Sequence, residues 1–237
     1  MFRNLLRFWS QEHSLTALLL VIIVDLFVVL PLTGGGRIVD LTSDLVFSLI
    51  LLAGIQSMAR NKAVRVLFSV FVVFGAVTHF AWKLFNFNFL AGWNFLFSAL
   101  AVIGMLMVTL WMVYKDGPVT AHRIRGAIAA YLLISVLFAK AYVLINYLMP
   151  GAFNMPLPVT TLLGESGQTF YYFSIVTLTT VGYGDVTPVA PIARSLAMGE
   201  AIIGQLYPAI LIARLVTLEM ETRRSAKGGN DYGKELE

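Results

Sequence analysis

The chain has 237 residues, of which 58% are hydrophobic and 13% charged, and its formal net charge is +4. With a mean hydropathy of +0.80, this composition lies far from that of soluble domains, which are about half apolar and about a quarter charged. The sequence therefore predicts an integral membrane protein surrounded by lipid, and the total lack of cysteine excludes disulfides, thiolate metal sites and cysteine nucleophiles.

Six apolar segments are long enough to cross a hydrocarbon layer that takes about 20 helical residues. They run over residues 14–32, 43–59, 64–83, 93–114, 124–149 and 189–218. Ser14 and Ser43 are the predicted N-caps of the first two, and residues 1–11 are typical of a short amphipathic helix on the inner surface. Most of the 17 Lys and Arg residues fall on the side of the two termini. That bias predicts a multi-pass protein of the cell membrane with both termini cytoplasmic, and it favours membrane anchoring over nucleic-acid binding.

The stretch between the last two segments does not cross the membrane in the predicted topology. Residues 150–165 are expected to form an exposed loop, and Ser166 is the expected cap of a short helix over 167–179. At about 1.5 Å per residue this helix is about 18 Å long, enough to enter the membrane halfway and return as extended backbone.

The pentapeptide Thr180-Val181-Gly182-Tyr183-Gly184 follows that helix directly. A row of carbonyls aimed at one axis requires backbone that alternates between right- and left-handed regions, and Gly182 and Gly184 supply the left-handed positions without a Cβ penalty. Such carbonyls replace the water shell of a potassium ion. An ordinary Gly-rich turn is the competing interpretation, and the flanking helical and apolar segments disfavour it.

Residues from about 124 to 218 resemble the pore domain of the tetrameric potassium channels, and the preceding segments resemble the six-transmembrane, voltage-gated-like branch in number alone. The resemblance implies an all-α integral membrane protein with six transmembrane helices, a re-entrant pore helix and a selectivity-filter loop. One filter per chain implies a homotetramer, because exposed non-helical backbone at that depth must be surrounded by protein or water. The expected organisation is a peripheral bundle over 1–118, a pore domain over 119–218 and a short cytoplasmic tail over 219–237, with bound K+ and no other cofactor.

The resemblance also assigns roles within and beyond the pentapeptide. Residues 180–183 are the expected ion-coordinating positions, and Gly184 is the outer end of the filter. Asp185 would lie at the outer mouth. Where many relatives have two tryptophans this chain has Tyr172 and Phe173, and because Phe173 cannot donate a hydrogen bond to Asp185, weakened bracing behind the filter is expected.

Two threonines at the end of the short helix complete the expected filter support. Thr177 is a candidate partner for the Tyr183 phenol, which needs a hydrogen bond if it is turned away from the ion path. Thr179 lies at the last position of the predicted helix.

The last apolar segment contains a position where bending is expected. Gly204 corresponds to the hinge glycine of the family, and Pro208 four residues later removes the amide that would bond to the Gly204 carbonyl. A tolerated proline without a hinge is the alternative. The resemblance turns Gln205, Pro208 and Ile212 toward an inner cavity.

Three ionisable residues lie inside apolar segments, where they are costly unless paired or turned to water. Because the fifth and sixth helices are neighbours in this family, Lys140 and Glu200 are a candidate ion pair, with snorkelling of Lys140 as the alternative. Asp25 is expected to line a crevice or to pair with His79.

The fourth segment argues against gating by voltage. A voltage sensor needs several regularly spaced arginines, each worth about 2.3 kcal/mol per 100 mV, and residues 92–114 contain no Arg or Lys. The sequence predicts a voltage-independent potassium channel and not an enzyme. A non-conducting or regulatory channel subunit and a component of a potassium transporter are the alternatives, although a transporter of that kind would carry several filter repeats and a silent subunit would be expected to lose its filter glycines.

Overall fold

A computed structural model describes residues 14–29, 62–85, 88–115, 120–155 and 164–234 of the chain. The predicted surface helix over 1–11, the segment 43–59 and its cap Ser43 lie outside these residues.

Six helices and two short strands make up the described structure. In chain order they are α1 (Ser14–Val24, continued by a π-helical turn Asp25–Val29), α2 (Lys62–Phe85), α3 (Asn88–Tyr114), α4 (Ala121–Leu148), β1 (Phe153–Asn154), α5 (Gly164–Leu178), β2 (Thr187–Pro188) and α6 (Pro191–Lys234).

Three of the helices are long and apolar enough to cross a membrane: Gly92–Tyr114, Ala121–Leu148 and Pro191–Met220. They coincide with the fourth, fifth and sixth predicted segments. The first and third predicted segments contain shorter apolar stretches, Leu15–Val29 and Arg65–Thr78. The described part of the chain is therefore mostly helical, as expected of a membrane protein.

The structure corrects two local predictions and adds one feature. Helix α5 begins at Gly164, so Ser166 lies inside its first turn and is not its cap. Helix α6 continues to Lys234, so most of the region predicted as a separate tail over 219–237 extends the last helix. The fold is mostly helical, as the all-α prediction requires, and the chain around α5 adds two short strands that were not predicted.

The two strands form an antiparallel sheet close to the pentapeptide. Phe153 lies opposite Pro188 and Asn154 opposite Thr187. The carbonyl of Ala152 also accepts hydrogen bonds from the amides of Val189 (2.8 Å) and Ala190 (3.1 Å). The chain that leaves α4 is thereby tied to the chain that leaves the pentapeptide.

Helix α4 is the central element, since it packs against α1, α3, α5 and α6. Thr120 precedes it with extended backbone, and its hydroxyl accepts from the Arg123 amide at 3.4 Å, which is the geometry of an N-cap. Fully buried alanines, among them Ala129, Ala130 and Ala139, allow close approach of neighbouring helices.

Two apolar cores lie along α4. The first joins Leu18 of α1 and Met105 of α3 to Leu133 of α4. The second surrounds Tyr142 of α4 with side chains from the β1 and α5 regions. The first core holds the peripheral helices to α4, whereas the second positions α5 and the loop that follows it.

Candidate functional site

The end of helix α5 passes directly into the pentapeptide. Carbonyls in its last turn accept hydrogen bonds from amides of the loop. The Thr180 amide donates to the Thr177 carbonyl at 3.0 Å, and the Val181 amide donates to the Val176 carbonyl at 2.9 Å. Helix ends leave such carbonyls without partners inside the helix. The loop therefore starts from a fixed point on α5.

The backbone of the loop alternates in handedness. Its φ angles are +60° at Thr180, +58° at Gly182 and +79° at Gly184. The two glycines adopt the left-handed conformation that the sequence predicts for them. Thr180 was not predicted to do so, and a non-glycine residue in this region costs about 1–3 kcal/mol.

Open space surrounds the two glycines. An added Cβ at Gly182 or Gly184 would meet no atom within 4 Å, so within one chain their positive φ, rather than crowding, requires glycine. Positive φ therefore recurs at every second residue, at the strained Thr180 and at the two glycines. A row of carbonyls on one side of a backbone needs this alternation.

The loop is exposed within a single chain. Residues 179–185 are all exposed, including 53% of Val181 and 71% of Tyr183, while Val186 is buried again. Exposed loop backbone beside apolar helices needs water or further protein around it.

Tyr172 braces the outer end of this loop. Its hydroxyl donates to Asp185 Oδ2 at 2.7 Å, and its ring is stacked on Tyr183 with a centroid separation of 6.4 Å. The Val186 amide donates to Asp185 Oδ1 at 3.0 Å. The expected loss of bracing at Asp185 was therefore wrong, because Tyr172 supplies the donor that Phe173 lacks.

The hydrogen bond between Tyr172 and Asp185 shifts the pKa values of both groups. The hydrogen bond from Tyr172 lowers the pKa of Asp185 below its ordinary range, because it stabilises the carboxylate. Conversely, donation to Asp185 raises the pKa of Tyr172 to about 12. Both groups hold the protonation states that the contact requires at neutral pH.

Phe173 points into the second apolar core. Its ring lies 5.0 Å from Tyr142 and 5.7 Å from Phe153 in edge-to-face geometry, the arrangement that aromatic pairs prefer. It supports α5 by packing against α4 and β1.

Tyr131 of α4 reaches the point where α5 meets α6. Its hydroxyl lies 3.0 Å from the carbonyl of Leu178, the last residue of α5, and 3.4 Å from the carbonyl of Gly204. Pro208, inside α6, cannot donate to the Gly204 carbonyl, and the Tyr131 hydroxyl is a donor group close to that carbonyl. Sequence analysis did not identify Tyr131, because nothing in the pattern of α4 distinguishes it from an ordinary core aromatic.

Gly204 is required by close packing. A Cβ at this position would overlap the carbonyl of Leu178, so α6 can lie against the end of α5 only if residue 204 has no side chain. The structure gives this glycine a packing role, and bending at Gly204 remains a prediction.

The remaining predicted residues of α5 and α6 have simpler surroundings. Gln205 and Ile212 are exposed and Pro208 is half-buried. The Thr179 hydroxyl donates a hydrogen bond to the Ile175 carbonyl at 2.7 Å. The pairing of Thr177 with Tyr183 stays a prediction.

The three intramembrane ionisable residues come from three different parts of the fold, the π-helical turn after α1, helix α4 and helix α6. Glu200 is completely buried, and its carboxylate contacts the hydroxyls of Tyr142 and Ser174, whereas Lys140 is half-buried. The ion pair between Lys140 and Glu200 stays a prediction. Asp25 begins the π-helical turn after α1, and its pairing with His79 also stays a prediction.

Comparison with known proteins shows what the pentapeptide and the helices around it are similar to. Residues 130–221 match the family described as "Ion channel", a stretch that contains most of α4, all of α5 and the pentapeptide, and α6 through its apolar part. This region is therefore similar to an ion-channel domain.

Three individual relatives are similar to parts of this chain. Protein LctB of Geobacillus stearothermophilus is 51% identical over 45 residues, which cover 19% of this chain and 33% of the relative. Two pore potassium channel c of Oryza sativa subsp. japonica is 33% identical over 92 residues (39% of this chain, 18% of the relative). Inward rectifier potassium channel Kirbac3.1 of Paramagnetospirillum magnetotacticum is 32% identical over 84 residues (34% and 24%). The chain thus covers no more than a third of the length of any of these three, two of which are potassium channels by name.

Proposed function

We propose that this chain is a subunit of a potassium-selective channel and that the backbone of residues 180–184 coordinates the permeating ions. The alternation of positive φ at Thr180, Gly182 and Gly184 carries this proposal, because it is the conformation that a row of carbonyls on one side of a backbone requires. Thr180, Val181, Gly182 and Tyr183 would supply oxygens in place of the hydration shell of K+, and Gly184 would end the filter.

We infer that the functional form is a homotetramer. Exposed loop backbone and a largely exposed Tyr183 favour further protein around each filter. Large exposed apolar side chains on α6, such as Ile202, Leu206 and Ile210, fit the same requirement, because in an assembly they would face other subunits, lipid or an inner cavity.

Six crossings with both termini in the cytoplasm complete the proposed architecture. Three long apolar helices and two shorter apolar stretches support it. Asp185 and the small sheet would then lie at the outer mouth, and α6, with Gln205 and Ile212 exposed, would line the inner cavity.

Gating by voltage is not part of the proposal. Residues 92–114 form most of α3 and contain no Arg or Lys, so movement of this helix through the field would transfer no side-chain charge of that kind. Planar-bilayer currents are expected to show nearly the same open probability at positive and negative potentials. A steep conductance–voltage curve would contradict this part of the account.

Ion flux from liposomes tests the function itself. Purified protein reconstituted into vesicles with a K+ gradient should release K+ downhill, barium should block the flux, and Na+ should not substitute. Gly182→Ala is the matched inactive variant, because an alanine is strained at this positive φ. Equal fluxes of Na+ and K+, or wild-type flux from Gly182→Ala, would contradict the proposal.

The same assay separates the alternatives. A regulatory subunit would assemble but conduct nothing by itself, and a transporter component would show saturating flux or a requirement for a coupling ion. Downhill, non-saturating flux blocked by barium is expected of a channel.

A further inference from the structure

Four polar side chains form a cluster in the apolar interior beside α5. Ser135 and Tyr142 come from α4, Ser174 from α5 and Glu200 from α6. Each is 0% exposed, and all four belong to one chain. The cluster is therefore complete without a second subunit.

The carboxylate of Glu200 joins the three helices. Tyr142 donates its hydroxyl to Glu200 Oε2 at 2.5 Å, and Oε1 is bonded to the hydroxyl of Ser174. Ser174 Oγ also lies 2.8 Å from the Ser135 carbonyl and 3.2 Å from Ser135 Oγ. Every oxygen of the carboxylate thus has a partner, as a buried group of this kind requires.

A carboxylate is a costly choice for this position if it only fills space. Replacing a buried polar network by apolar side chains of similar volume is often neutral or stabilising, while removing one partner from such a network is damaging. What the hydrogen bonds add over apolar packing is a fixed orientation.

The cluster lies one helical turn before the point where Leu178 of α5 meets Gly204 of α6. Ser174 precedes Leu178 by four residues, and the pentapeptide begins two residues after Leu178. Glu200 precedes Gly204 by four residues on α6. The carboxylate therefore joins the last turns of α5 to the turn of α6 that approaches the Leu178 carbonyl.

We propose that Glu200 is a positioning residue that holds α5, and with it the backbone of residues 180–184, in register against α4 and α6. The inference rests on the proposed channel function. Its chemistry is hydrogen bonding and needs no net charge at Glu200: an amide in the same place would accept from Tyr142 and donate to Ser174, which would in turn donate to the Ser135 carbonyl.

The test compares two substitutions of Glu200 in reconstituted full-length protein. Glu200→Gln keeps both contacts and is expected to keep the wild-type ratio of K+ to Na+ permeability. Glu200→Leu leaves the Tyr142 hydroxyl without its acceptor and leaves Ser174 bonded to Ser135 alone, so the hydrogen-bonded link to α6 is lost. It is expected to lower that ratio about tenfold, the factor that corresponds to one buried hydrogen bond. Thr109→Val is the matched control, because the buried Thr109 hydroxyl returns to its own helix at Met105 and joins no second helix.

Two milder variants keep the test decisive if Glu200→Leu does not assemble. Tyr142→Phe and Ser174→Ala each remove one hydroxyl and keep the rest of the packing, and each is expected to lower the permeability ratio by a smaller factor than Glu200→Leu. Faster amide exchange over residues 174–182 should accompany the change. A wild-type ratio and wild-type exchange in both variants would overturn the proposal, as would a loss of selectivity in Glu200→Gln equal to that in Glu200→Leu.

The two proposals fail in different ways. Wild-type vesicles without K+-selective flux would refute the channel function, and amide exchange in Tyr142→Phe would then still decide whether Glu200 positions α5. Selective wild-type flux with unaltered variants would refute only the positioning role.

Discussion

The peripheral helices and the region around α5 both pack against α4 through apolar side chains, but only the second has hydroxyl contacts at the pentapeptide. Leu18 and Met105 pack against Leu133 in a core of apolar side chains. Near the pentapeptide, hydroxyl groups add hydrogen bonds to the apolar packing: Tyr131 bonds to the Leu178 carbonyl, and Tyr172 bonds to Asp185.

This difference has a physical meaning. Apolar packing accepts side chains of similar volume, because it has no preferred direction. A hydrogen bond fixes the distance and angle of two groups. The region that must hold backbone oxygens in one geometry is therefore the region where loss of one hydroxyl should matter.

The largest effect is expected from Gly204→Ala. The added methyl group would overlap the Leu178 carbonyl, and because that atom belongs to the backbone, α5 or α6 must shift. Overpacking of this kind costs about 1–3 kcal/mol and sometimes more. We expect a large loss of assembled protein on size-exclusion chromatography and little K+ flux from what remains.

Gly199→Ala is the control for that variant. It lies on the same helix, and a Cβ there meets nothing within 4 Å in the chain. Normal assembly and flux of Gly204→Ala would show that the close approach of α6 to Leu178 is not needed.

Tyr131→Phe should have the next largest effect. It leaves the Leu178 carbonyl without the phenol, a loss of about 1 kcal/mol for a buried hydrogen bond, and should lower both thermal stability and K+ selectivity. Tyr207→Phe removes the phenol of the neighbouring stacked ring, which bonds to Ala127 of α4 at 2.9 Å. If the two variants lost equal selectivity, a special role for Tyr131 at the loop would be excluded.

Tyr172→Phe should act through pH. The wild-type contact lowers the pKa of Asp185, so its stabilising contribution is present above the ordinary aspartate pKa of about 3.9 and is lost as the pH falls through the lowered value. The difference in melting temperature between wild type and Tyr172→Phe should therefore be largest near neutral pH and shrink below about pH 4. A difference that grows on acidification would contradict the assigned contact.

The smallest effect is expected from Leu18→Met in the peripheral core. A volume-conserving change usually costs less than about 1.5 kcal/mol, and this one touches no group near the loop. Melting temperature should fall slightly, while the ratio of K+ to Na+ permeability stays at the wild-type value. A change in selectivity would show that the peripheral packing also sets the loop geometry.

Local sequence predicted the parts of the molecule that depend on local chemistry. Segments 93–114 and 124–149 were close to α3 and α4, because long apolar runs are a property of the chain itself. Positive φ at Gly182 and Gly184 followed from the conformational freedom of glycine.

The remainder depends on contacts between distant residues. Strand β1 has two residues and exists only because Phe153 meets Pro188, so no periodicity could reveal it. Likewise, Glu200 in an apolar helix indicates that its carboxylate has polar partners. The sequence does not show that these partners are the hydroxyls of Tyr142 on α4 and Ser174 on α5. The left-handed conformation of Thr180 could not be predicted from local preferences, because these disfavour that conformation for a residue with a Cβ.

Electron density for heavy monovalent cations tests the central claim most directly. In protein prepared with Rb+ or Tl+, the account predicts four chains around one axis and a column of ions between the carbonyl oxygens of residues 180–183. A monomer or dimer, or an assembly whose loops enclose no ions, would contradict it.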